Sequence, residues 1–464
     1  MRQVVAVLPV LAVLCIMSYR TSRYNDSRLR AIFMVQNRPS IVQSLQSLRL
    51  RWGSFFYTRC LAGLPWYWPA RPLGARAMVD ARRMVRRNFG RGHHPVYRVL
   101  ARILVAAAWP AAVLVHLWQF RRWRPAAVPI EQVPRAFWAA MRHNILPFEY
   151  LAYGLWKPDH KANIDNYLYS HESARLFRLL NRPCQPDPID DKMAFHDMCM
   201  ANGIPTPPIL AAFGPSRFLV KFESERPPER DLFVKPCMGL AGEGAERFRW
   251  RGAAFESDRG RRIRPEDLHD YLAARAKTEK RILLVQPVIL NSTQLHLATD
   301  AALATVRLVT GRSADGDVVP IYGFIYFARP NNITAKGGDI ALIDVATGQL
   351  IPAPSKAICG ANLFSYHHFT GDARMLPDWN AALLHSKIAH QACPNFVFVG
   401  WDVALTDSGP MLLEGNAGWS ADEYQSLTGD PLGNNPHFIK ILAAGLKAAK
   451  ADHSEWHRKS LKRC

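Results

Sequence analysis

The chain has 464 residues and a formal net charge of +21, which is distributed very unevenly. Residues 1–150 hold 23 Arg, no Lys and 4 acidic residues, a net of +19, so the remaining 36 basic and 34 acidic residues nearly balance. A charge confined to one third of a chain is a local device for binding an anionic partner. The length allows two or more domains, with a boundary predicted in the Pro-rich stretch from Asn181 to Pro188. Eight cysteines without a CxxC pair or regular spacing fit reduced thiols in a cytoplasmic protein and suggest no zinc site.

The basic third contains two apolar runs, Val4 to Tyr19 and Val99 to Phe120, that approach the roughly 20 residues needed to cross a bilayer. Only Arg2 precedes the first run, whereas four arginines follow it between positions 20 and 30. This bias would leave the following chain in the cytoplasm. We therefore predict a membrane anchor over residues 1–20. A cleavable signal peptide is the alternative, but no clean small-residue cleavage site follows the run.

The second apolar run contains Arg102, Pro110 and His116 and ends in RRWR, so an interfacial helix, a hairpin in one leaflet and a buried helix all stay open. Upstream, GLPWYWPARP is typical of a loop or a membrane-interface anchor. The segment MVDARRMVRRNFGRGHH predicts a basic amphipathic helix or a solvated helical face. Apolar and aromatic content favours anionic lipid over nucleic acid as the partner. We predict a basic, mostly helical, membrane-associated region over residues 21–180, at the cytoplasmic face of the inner membrane or, alternatively, free in the cytoplasm.

A lysine and three glycines follow in the order expected of a phosphate-binding loop. The segment DLFVKP predicts a short buried strand ending near Lys235, and Gly239, Gly242 and Gly244 come directly after it. Glycines let backbone N–H groups wrap phosphate oxygens, and the lysine adds a positive charge for the same oxygens. The lysine precedes the glycines, so this is not the GxxxxGK[ST] loop of the P-loop proteins. A flexible loop is the alternative interpretation.

Two further strands carry polar residues at informative places. The run RILLVQPV predicts a buried strand leading into a hinge at Gln286 and Val288, where a flat base could lie. A solvated strand end is the alternative for Gln286. Arg307 lies inside the apolar strand TVRLVT, where an arginine is costly unless it pairs with a carboxylate, a phosphate or a nucleotide. A buried salt bridge is the competing explanation.

A polar loop, NNITAKGGD, separates the predicted strands Val318 to Ala328 and Ile340 to Val345. It carries Lys336, which either closes over a bound ligand or is an ordinary surface lysine.

The segment GWDVALTDSGPMLLEGNAGW predicts a β-hairpin whose strands are Phe396 to Leu405 and Pro410 to Leu413. Glu414 and Asn416 are two residues apart, so their side chains leave the same face, and Asp402 lies opposite them on the partner strand. Two carboxylates and an amide oxygen are donors that Mg²⁺ prefers when phosphates complete its shell. A polar strand end beside a turn is the alternative.

Together these features resemble the ATP-grasp superfamily over roughly Asp190 to Leu446. The helix and turn in DKMAFHDMCMANGIPTPP are similar to the entry into that family's lid subdomain. The segments TVRLVT, AKGGDIALIDVATG and GWDVALTDSGPMLLEGNAGW resemble most the alpha-L-glutamate-ligase-like group associated with sugar transfer. The resemblance implies an α+β, ATP-grasp fold in which two α+β subdomains grip ATP. It places this domain at residues 190–450, with the lid subdomain at about 205–288, after the mostly helical basic region.

The resemblance also implies a role for each matching residue. Lys192 and Lys235 would contact ATP phosphates under a mobile lid formed by residues 239–244. Gln286 and Val288 would border the adenine, and Asn291 is the candidate for the ribose because no carboxylate follows the hinge. Magnesium ions would be bound by Asp402, Glu414 and Asn416. Arg307 would stabilise the phosphorylated intermediate or the departing phosphate, and Lys336 is a weaker carry-over.

The chemistry implied is an ATP- and Mg²⁺-dependent ligation of a carboxylate to an amine or a thiol through an acyl phosphate. Its substrates would be small molecules or glycan-linked, in the synthesis or modification of polysaccharides or cell-surface glycans. Two alternatives stay open. The same site in a phosphotransferase would pass phosphate to a hydroxyl, and a nonenzymatic protein would use its basic third to bind membrane or nucleic acid.

Overall fold

The structure is a computed structural model of the chain, and it describes residues 75–88, single positions between 96 and 118, and the ranges 131–181, 187–216, 218–220, 222–223, 226–239, 244–297, 302–328, 334–335, 338–351 and 374–461. The predicted anchor at residues 1–20 and the segment GLPWYWPARP lie outside these residues, as does most of the predicted boundary, positions 182–186. The domain limits proposed from the sequence therefore stay predictions.

The described part of the N-terminal region is helical. Its helices are α1 (Arg76–Arg87), α2 (Gln132–His143), α3 (Pro147–Ala152), α4 (Pro158–Ala162) and α5 (Ser170–Leu180). The described positions between 96 and 118 are helical as well. Within the residues that the structure describes, no helix combines the length and the apolar character needed to cross a bilayer.

The first of two sheets is antiparallel and lies in the middle of the chain. Its strands are β1 (Ala211–Phe213), β2 (Phe218–Val220), β3 (Leu232–Pro236), β4 (Glu246–Trp250), β5 (Phe255–Ser257), β6 (Arg262–Ile263) and β7 (Leu283–Pro287), in the order β2-β1-β7-β3-β4-β5-β6. Helix α7 (Pro265–Glu279) buries Leu268, Leu272 and Ala276 against one face. These residues recur every fourth position, so they form one stripe of the helix. Pro265 at its start suits the first helical turn, where no backbone N–H partner is needed.

The second sheet is also antiparallel and carries the predicted hairpin. Its strands are β8 (Thr305–Arg312), β9 (Val318–Phe327), β10 (Asp339–Ile343), β11 (Leu350–Ile351), β12 (Phe398–Thr406) and β13 (Gly409–Asn416), in the order β11-β10-β9-β8-β12-β13. The elements around it are α6 (Lys192–Ala201), α8 (Trp379–Ala392), α9 (Asp422–Thr428) and α10 (Pro436–Leu461). Helices that pack on antiparallel sheets define an α+β protein, which confirms the predicted fold class.

Both faces of the second sheet are covered. Alternate residues such as Val306, Leu308 and Trp401 pack with α6 and α8 on one face. On the other face, Val309 and Phe398 pack with α1, α5 and α10. Arg307 and Asp402 belong to this second face, because side chains alternate along a strand. The N-terminal helices therefore complete the core on the side of the sheet that carries the predicted site.

Helix α1 confirms the predicted basic helix but not its solvated alternative. Met78 and Ala81 are buried in the core shared with the second sheet, at 1% and 3% exposure. Arg82 is also buried: its Nε atom lies 2.9 Å from Glu172 Oε1, and its Nη2 atom donates to the Tyr167 carbonyl at 2.8 Å. A buried arginine is tolerated because each of these contacts replaces hydration that it lost.

Helix α9, which directly follows the predicted hairpin, is attached to the N-terminal helices by buried hydrogen bonds. The Tyr153 hydroxyl donates to Asp422 Oδ1 at 2.6 Å. The Gln425 side chain pairs with both the N–H and the carbonyl of Leu168, each at 2.9 Å. The Tyr167 hydroxyl donates to the Gly429 carbonyl at 2.5 Å. These contacts fix the segment after β13 against residues that precede the two sheets in sequence.

A buried histidine next to the predicted hairpin has a hydrogen-bond partner at each of its ring nitrogens. His390 contacts Thr310 Oγ1 through Nδ1 at 2.7 Å and the Phe396 carbonyl through Nε2 at 2.9 Å, and Trp401 Nε1 donates to the same hydroxyl at 2.8 Å. The neutral imidazole satisfies both neighbours if Nε2 carries the proton and Nδ1 accepts from the hydroxyl. Burial lowers the pKa of His390 from 6.5 to about 4.

This lowered pKa predicts acid sensitivity of folding. The unfolded chain binds a proton at His390 below pH 6.5, whereas the folded chain does so only near pH 4. The stabilisation that the neutral imidazole gives to the folded chain is therefore complete above pH 6.5 and is lost as the pH falls through 4. The loss should amount to about 3 kcal/mol of the free energy of unfolding. Urea unfolding of the wild type and of His390→Gln, measured from pH 7 to pH 4, checks this expectation. Parallel pH profiles for the two proteins would contradict it.

Candidate active site

Four side chains on neighbouring strands form one row across the second sheet. Phe324 on β9 pairs with Arg307 on β8, Arg307 pairs with Asp402 on β12, and Asp402 pairs with Glu414 on β13. Directly opposed residues on adjacent strands point to the same face, with Cβ atoms about 5 Å apart. The predicted strand that ended at Leu413 extends to Asn416, and a bulge between Asp402 and Val403 brings Glu414 opposite Asp402. The register therefore places a cation and two carboxylates side by side.

Asp402 is the centre of this row. Arg307 makes a bidentate ion pair with it, with Nε at 2.5 Å from Oδ1 and Nη2 at 3.1 Å from Oδ2. The buried salt bridge that the sequence left open as an alternative is thus present. Burial alone would lower the pKa of Arg307, but Asp402 raises it above its ordinary value. Burial raises the pKa of Asp402 to about 6, Arg307 opposes this rise, and the neighbouring Glu414 carboxylate adds to it.

Two lysines face the carboxylates from the other side. Lys192, the first residue of α6, places Nζ 3.6 Å from Glu414 Oε2 and donates to the carbonyl of Gly239 at 3.0 Å and to that of Cys237 at 3.4 Å. Lys235 lies on β3 of the first sheet. Burial lowers the pKa of Lys235 to about 8, Glu414 opposes this effect, and the charge on Lys192 strengthens it. Burial alone would raise the pKa of Glu414, but the two lysines lower it.

The donor set at the hairpin fits a divalent cation. Asp402 and Glu414 are opposite neighbours, and the amide Nδ2 of Asn416 donates to Asp402 Oδ2 at 3.5 Å. Two carboxylates at this separation repel each other unless a proton or a cation lies between them. Oxygen donors of this kind suit Mg²⁺, which keeps several sites for water and phosphate. Within the described residues, no group of three or more His, Cys, Asp or Glu side chains could hold a metal ion. The predicted ligands Asp402, Glu414 and Asn416 are not such a group, because the third of them is an amide.

The predicted phosphate-binding loop is described only in part. Gly239 has φ of +147° and Gly244 has φ of +79°, backbone conformations that favour glycine. Gly242 lies outside the described residues, and so does Lys336 in the loop between β9 and β10. Arg275 contacts the Gly244 carbonyl and the buried Glu246, which holds the far end of the loop against α7.

Of the three residues predicted to surround the base and ribose, Gln286 lies near the end of β7, and Val288 and Asn291 lie on the connection to the second sheet. Gln286 is buried, not solvated, and donates from Nε2 to the Pro207 carbonyl at 2.9 Å. The N–H of Val288 donates to the Asp231 carbonyl at 3.0 Å. Asn291 accepts from the Ala304 N–H at 2.7 Å. The side chains of Gln286 and Asn291 therefore position the connection, and their contacts with a nucleotide stay predictions.

Several residues near Arg307 were not anticipated from the sequence. Tyr322 and Tyr326 are the diagonal neighbours of Arg307 on β9, and the Tyr326 hydroxyl donates to Glu423 Oε1 on α9 at 3.0 Å. Glu423 is fully buried. Gly400 leaves space for the arginine, since a Cβ atom there would lie 3.2 Å from Arg307 Cδ. A glycine inside the strand GWDVAL was the one available signal, because such glycines often mark a close approach.

The fold and this site together define an ATP-grasp protein. Residues 171–435 match the family model described as sugar-transfer associated ATP-grasp, and the chain belongs to that family. This confirms the superfamily and the sugar-transfer-associated group that the motifs indicated, together with the predicted fold. No curated protein matches the sequence.

Solved structures similar to this chain include three bacterial proteins. The L-amino acid ligase of Bacillus licheniformis is 14% identical, with a TM-score of 0.34, over 60% of this chain and 53% of the ligase. The chain thus spans about half the length of that ligase. The D-alanine–D-alanine ligase of Bacillus anthracis is 11% identical, with a TM-score of 0.31, over 57% of this chain and 69% of the ligase. A RimK domain ATP-grasp protein of Sphaerobacter thermophilus is 13% identical, with a TM-score of 0.26, over 56% and 67% of the two chains.

The bidentate ion pair predicts strong energetic coupling between Arg307 and Asp402. Both side chains are only about one-seventh exposed, at 14% and 13%, so removing one leaves a buried charge without its partner. We expect Asp402→Asn and Arg307→Met each to lower the free energy of unfolding by about 3 kcal/mol or more. In the double variant, the free energy of unfolding should fall by less than the sum of the two single losses. The difference should be at least about 1 kcal/mol, because the two residues are in contact. Denaturant unfolding of all four proteins in a double-mutant cycle, without nucleotide or metal, checks this. Additive losses would show that the pair is not coupled.

Proposed function

We propose that the protein is an ATP- and Mg²⁺-dependent ligase that joins a carboxylate to an amine, or to a thiol, through an acyl phosphate. The observation that carries the proposal is the meeting of Arg307, Lys192 and Lys235 with Asp402 and Glu414 at one place between the two sheets. Three cations exceed the two carboxylates by one positive charge, and a bound Mg²⁺ would raise the excess further. A site with this charge suits the phosphates of a nucleoside triphosphate.

The proposed reaction has two steps. In the first, a carboxylate oxygen of the substrate attacks the γ-phosphorus of ATP, and the bond to the β-phosphate oxygen breaks, which gives an acyl phosphate and ADP. In the second, the amine attacks the acyl carbon, inorganic phosphate leaves, and the amine loses a proton as the amide forms. Negative charge develops on phosphate oxygens in both steps, so fixed cations can stabilise both transition states. Neither step requires a covalent bond to the enzyme.

The residues would divide this work according to their positions. Asp402, Glu414 and Asn416 would hold the magnesium, which when bound neutralises phosphate charge. Lys192 and Lys235 would bind the phosphates, and Lys192 would exchange its two backbone carbonyl contacts for phosphate oxygens. Arg307 is held beside Asp402 by their ion pair, and from there it would stabilise the acyl phosphate and the departing phosphate. Gln286, Val288 and Asn291 would fix the sheet connection at which the adenine and ribose are proposed to lie.

The substrates are proposed to be sugar-linked or glycan-linked. The support is the family itself, which is described as associated with sugar transfer. The reaction would then attach an amine to a sugar carboxylate, or an acyl group to an amino sugar, during the synthesis or modification of a polysaccharide or a cell-surface glycan.

Loss of a metal ligand should abolish ATP turnover. We expect Asp402→Asn and Glu414→Gln to lower Mg²⁺-dependent ADP formation by about 100-fold or more, because phosphate charge is then left uncompensated. The matched control is Asp407→Asn in the turn of the same hairpin. There the new amide oxygen can still accept from the Thr293 N–H and the Ser292 hydroxyl, as Asp407 does at 2.8 and 2.9 Å. Unchanged ADP formation in Asp402→Asn would contradict the role of Asp402 as a metal ligand, whereas an absence of ADP formation in the wild type would favour a nonenzymatic binder.

Product analysis separates a ligase from a phosphotransferase. The full chain would be incubated with γ-labelled ATP, Mg²⁺ and a metabolite and glycan extract of the source cells, with Asp402→Asn as the blank. A ligase releases every labelled phosphate as inorganic phosphate, because the acyl phosphate is consumed in the second step. Label retained on an organic acceptor that is stable to hydroxylamine would contradict ligation and establish transfer to a hydroxyl, since hydroxylamine cleaves acyl phosphates but not phosphate monoesters.

A further inference from the structure

An exposed row of apolar side chains follows the helical positions between 96 and 118. Its members recur at helical spacing and are each more than half exposed: Val96, Val99, Leu100, Ile103, Leu114 and Trp118, at 53–59%. We call these six residues the exposed stripe. Positions 107 and 111 lie between its two ends on the same helical face and are exposed alanines. Large apolar side chains in such a row mark an interaction surface.

A neighbouring face of the same helical positions is already occupied. Trp109, Val113 and Leu117 are buried against α2, and Trp109 Nε1 donates to the Ala140 carbonyl at 3.2 Å. The described helical positions are thus held against α2 by these three side chains, while the members of the stripe are exposed. Such a segment can lie on a flat partner along its length, as an amphipathic helix lies in the plane of a membrane interface.

Helix α2 adds a second exposed row of a different composition. Arg135, Trp138 and Arg142 are spaced by three and four residues, so they share one face, and Trp138 is 68% exposed. The acidic residue Glu131 is exposed on the same face. Tryptophan between arginines is the combination found where proteins meet lipid headgroups, since the indole tolerates both apolar and wet surroundings and arginine pairs with phosphate.

We propose that the exposed stripe and the Arg135–Trp138–Arg142 row bind the surface of an anionic lipid bilayer. The occupant is chosen by charge: residues 1–150 carry 23 arginines against 4 acidic residues, a net of +19, and the stripe lies within this part of the chain. An anionic bilayer offers both the apolar interior that the stripe requires and the phosphates that the arginines require. Nucleic acid offers only the second of these.

Docking in this way would orient the site as well as localise the chain. The core that contains Trp109 and Val113 also contains Tyr153 and Tyr167. The same two tyrosines hold α9 through Asp422 and the Gly429 carbonyl. The surface that meets the lipid is therefore connected by buried contacts to the segment that follows the metal hairpin, and a substrate carried on a lipid would approach a fixed site.

The test locates lipid contact residue by residue and needs no substrate. The full chain is mixed with vesicles of phosphatidylcholine and phosphatidylglycerol that contain a lipid with a photoactivatable acyl chain. After irradiation, mass spectrometry maps the labelled peptides. We expect peptides covering 96–118 to be labelled at least about tenfold more than the peptide with Leu384 on α8, which is 55% exposed and serves as the matched apolar control. Local mapping keeps this result independent of any contact made by residues 1–20.

Two variants complete the test. Leu100→Glu with Leu114→Glu should remove labelling of the 96–118 peptides, whereas Leu384→Glu should leave it unchanged. Arg135→Gln with Arg142→Gln should reduce labelling with phosphatidylglycerol present toward the level seen with phosphatidylcholine alone. Equal labelling of the stripe and of Leu384 would overturn the proposal. So would a stripe that is buried between two copies of the chain, which would appear as a dimer that Leu100→Glu dissociates and as an absence of label.

Discussion

The ion pair between Arg307 and Asp402 is the constraint on which the site depends. It lies in one cross-strand row, so the register of three strands fixes the positions of Arg307, Asp402 and Glu414 together. A slip of one residue on any of these strands would turn its charged side chain to the face packed by α6 and α8. The pair also compensates charges that burial would otherwise make very costly. Strand register and charge pairing thus depend on each other. A change of register would separate the pair, and the buried charges would then have no partner.

The second constraint is that the site belongs to both sheets. Glu414 is held by the second sheet, whereas Lys235 belongs to β3 of the first, and Lys192 on α6 contacts Glu414 and two carbonyls at the start of the glycine loop. Lys192 therefore connects the halves without belonging to either sheet. This geometry favours a ligand that contacts both lysines and the hairpin at the same time.

The sequence predicted much of the site because its key features are local. The two-residue spacing of Glu414 and Asn416 placed both side chains on one face, and alternation identified Arg307 as a polar residue inside an apolar strand. The bulge between Asp402 and Val403, which brings Glu414 rather than Leu413 opposite Asp402, was not predicted. The other parts that were missed depend on contacts between distant residues. Tyr326 and Glu423 meet only because α9 folds back over β9, and no local pattern marks a fully buried glutamate. The solvated interpretations of α1 and Gln286 failed for the same reason, since their partners are about 80 residues or more away in sequence.

The contacts of α9 also explain why a helical region precedes the two sheets. The segment after β13 carries buried polar groups, and residues 153–168 supply the partners of Asp422, Gln425 and the Gly429 carbonyl through Tyr153, Leu168 and Tyr167. Buried polar groups carry a large penalty when they are left unpaired, so the hairpin and the helical region stabilise each other. If the exposed stripe rests on lipid, the buried contacts of Tyr153 and Tyr167 connect the bilayer surface to the segment that follows the hairpin of Asp402 and Glu414.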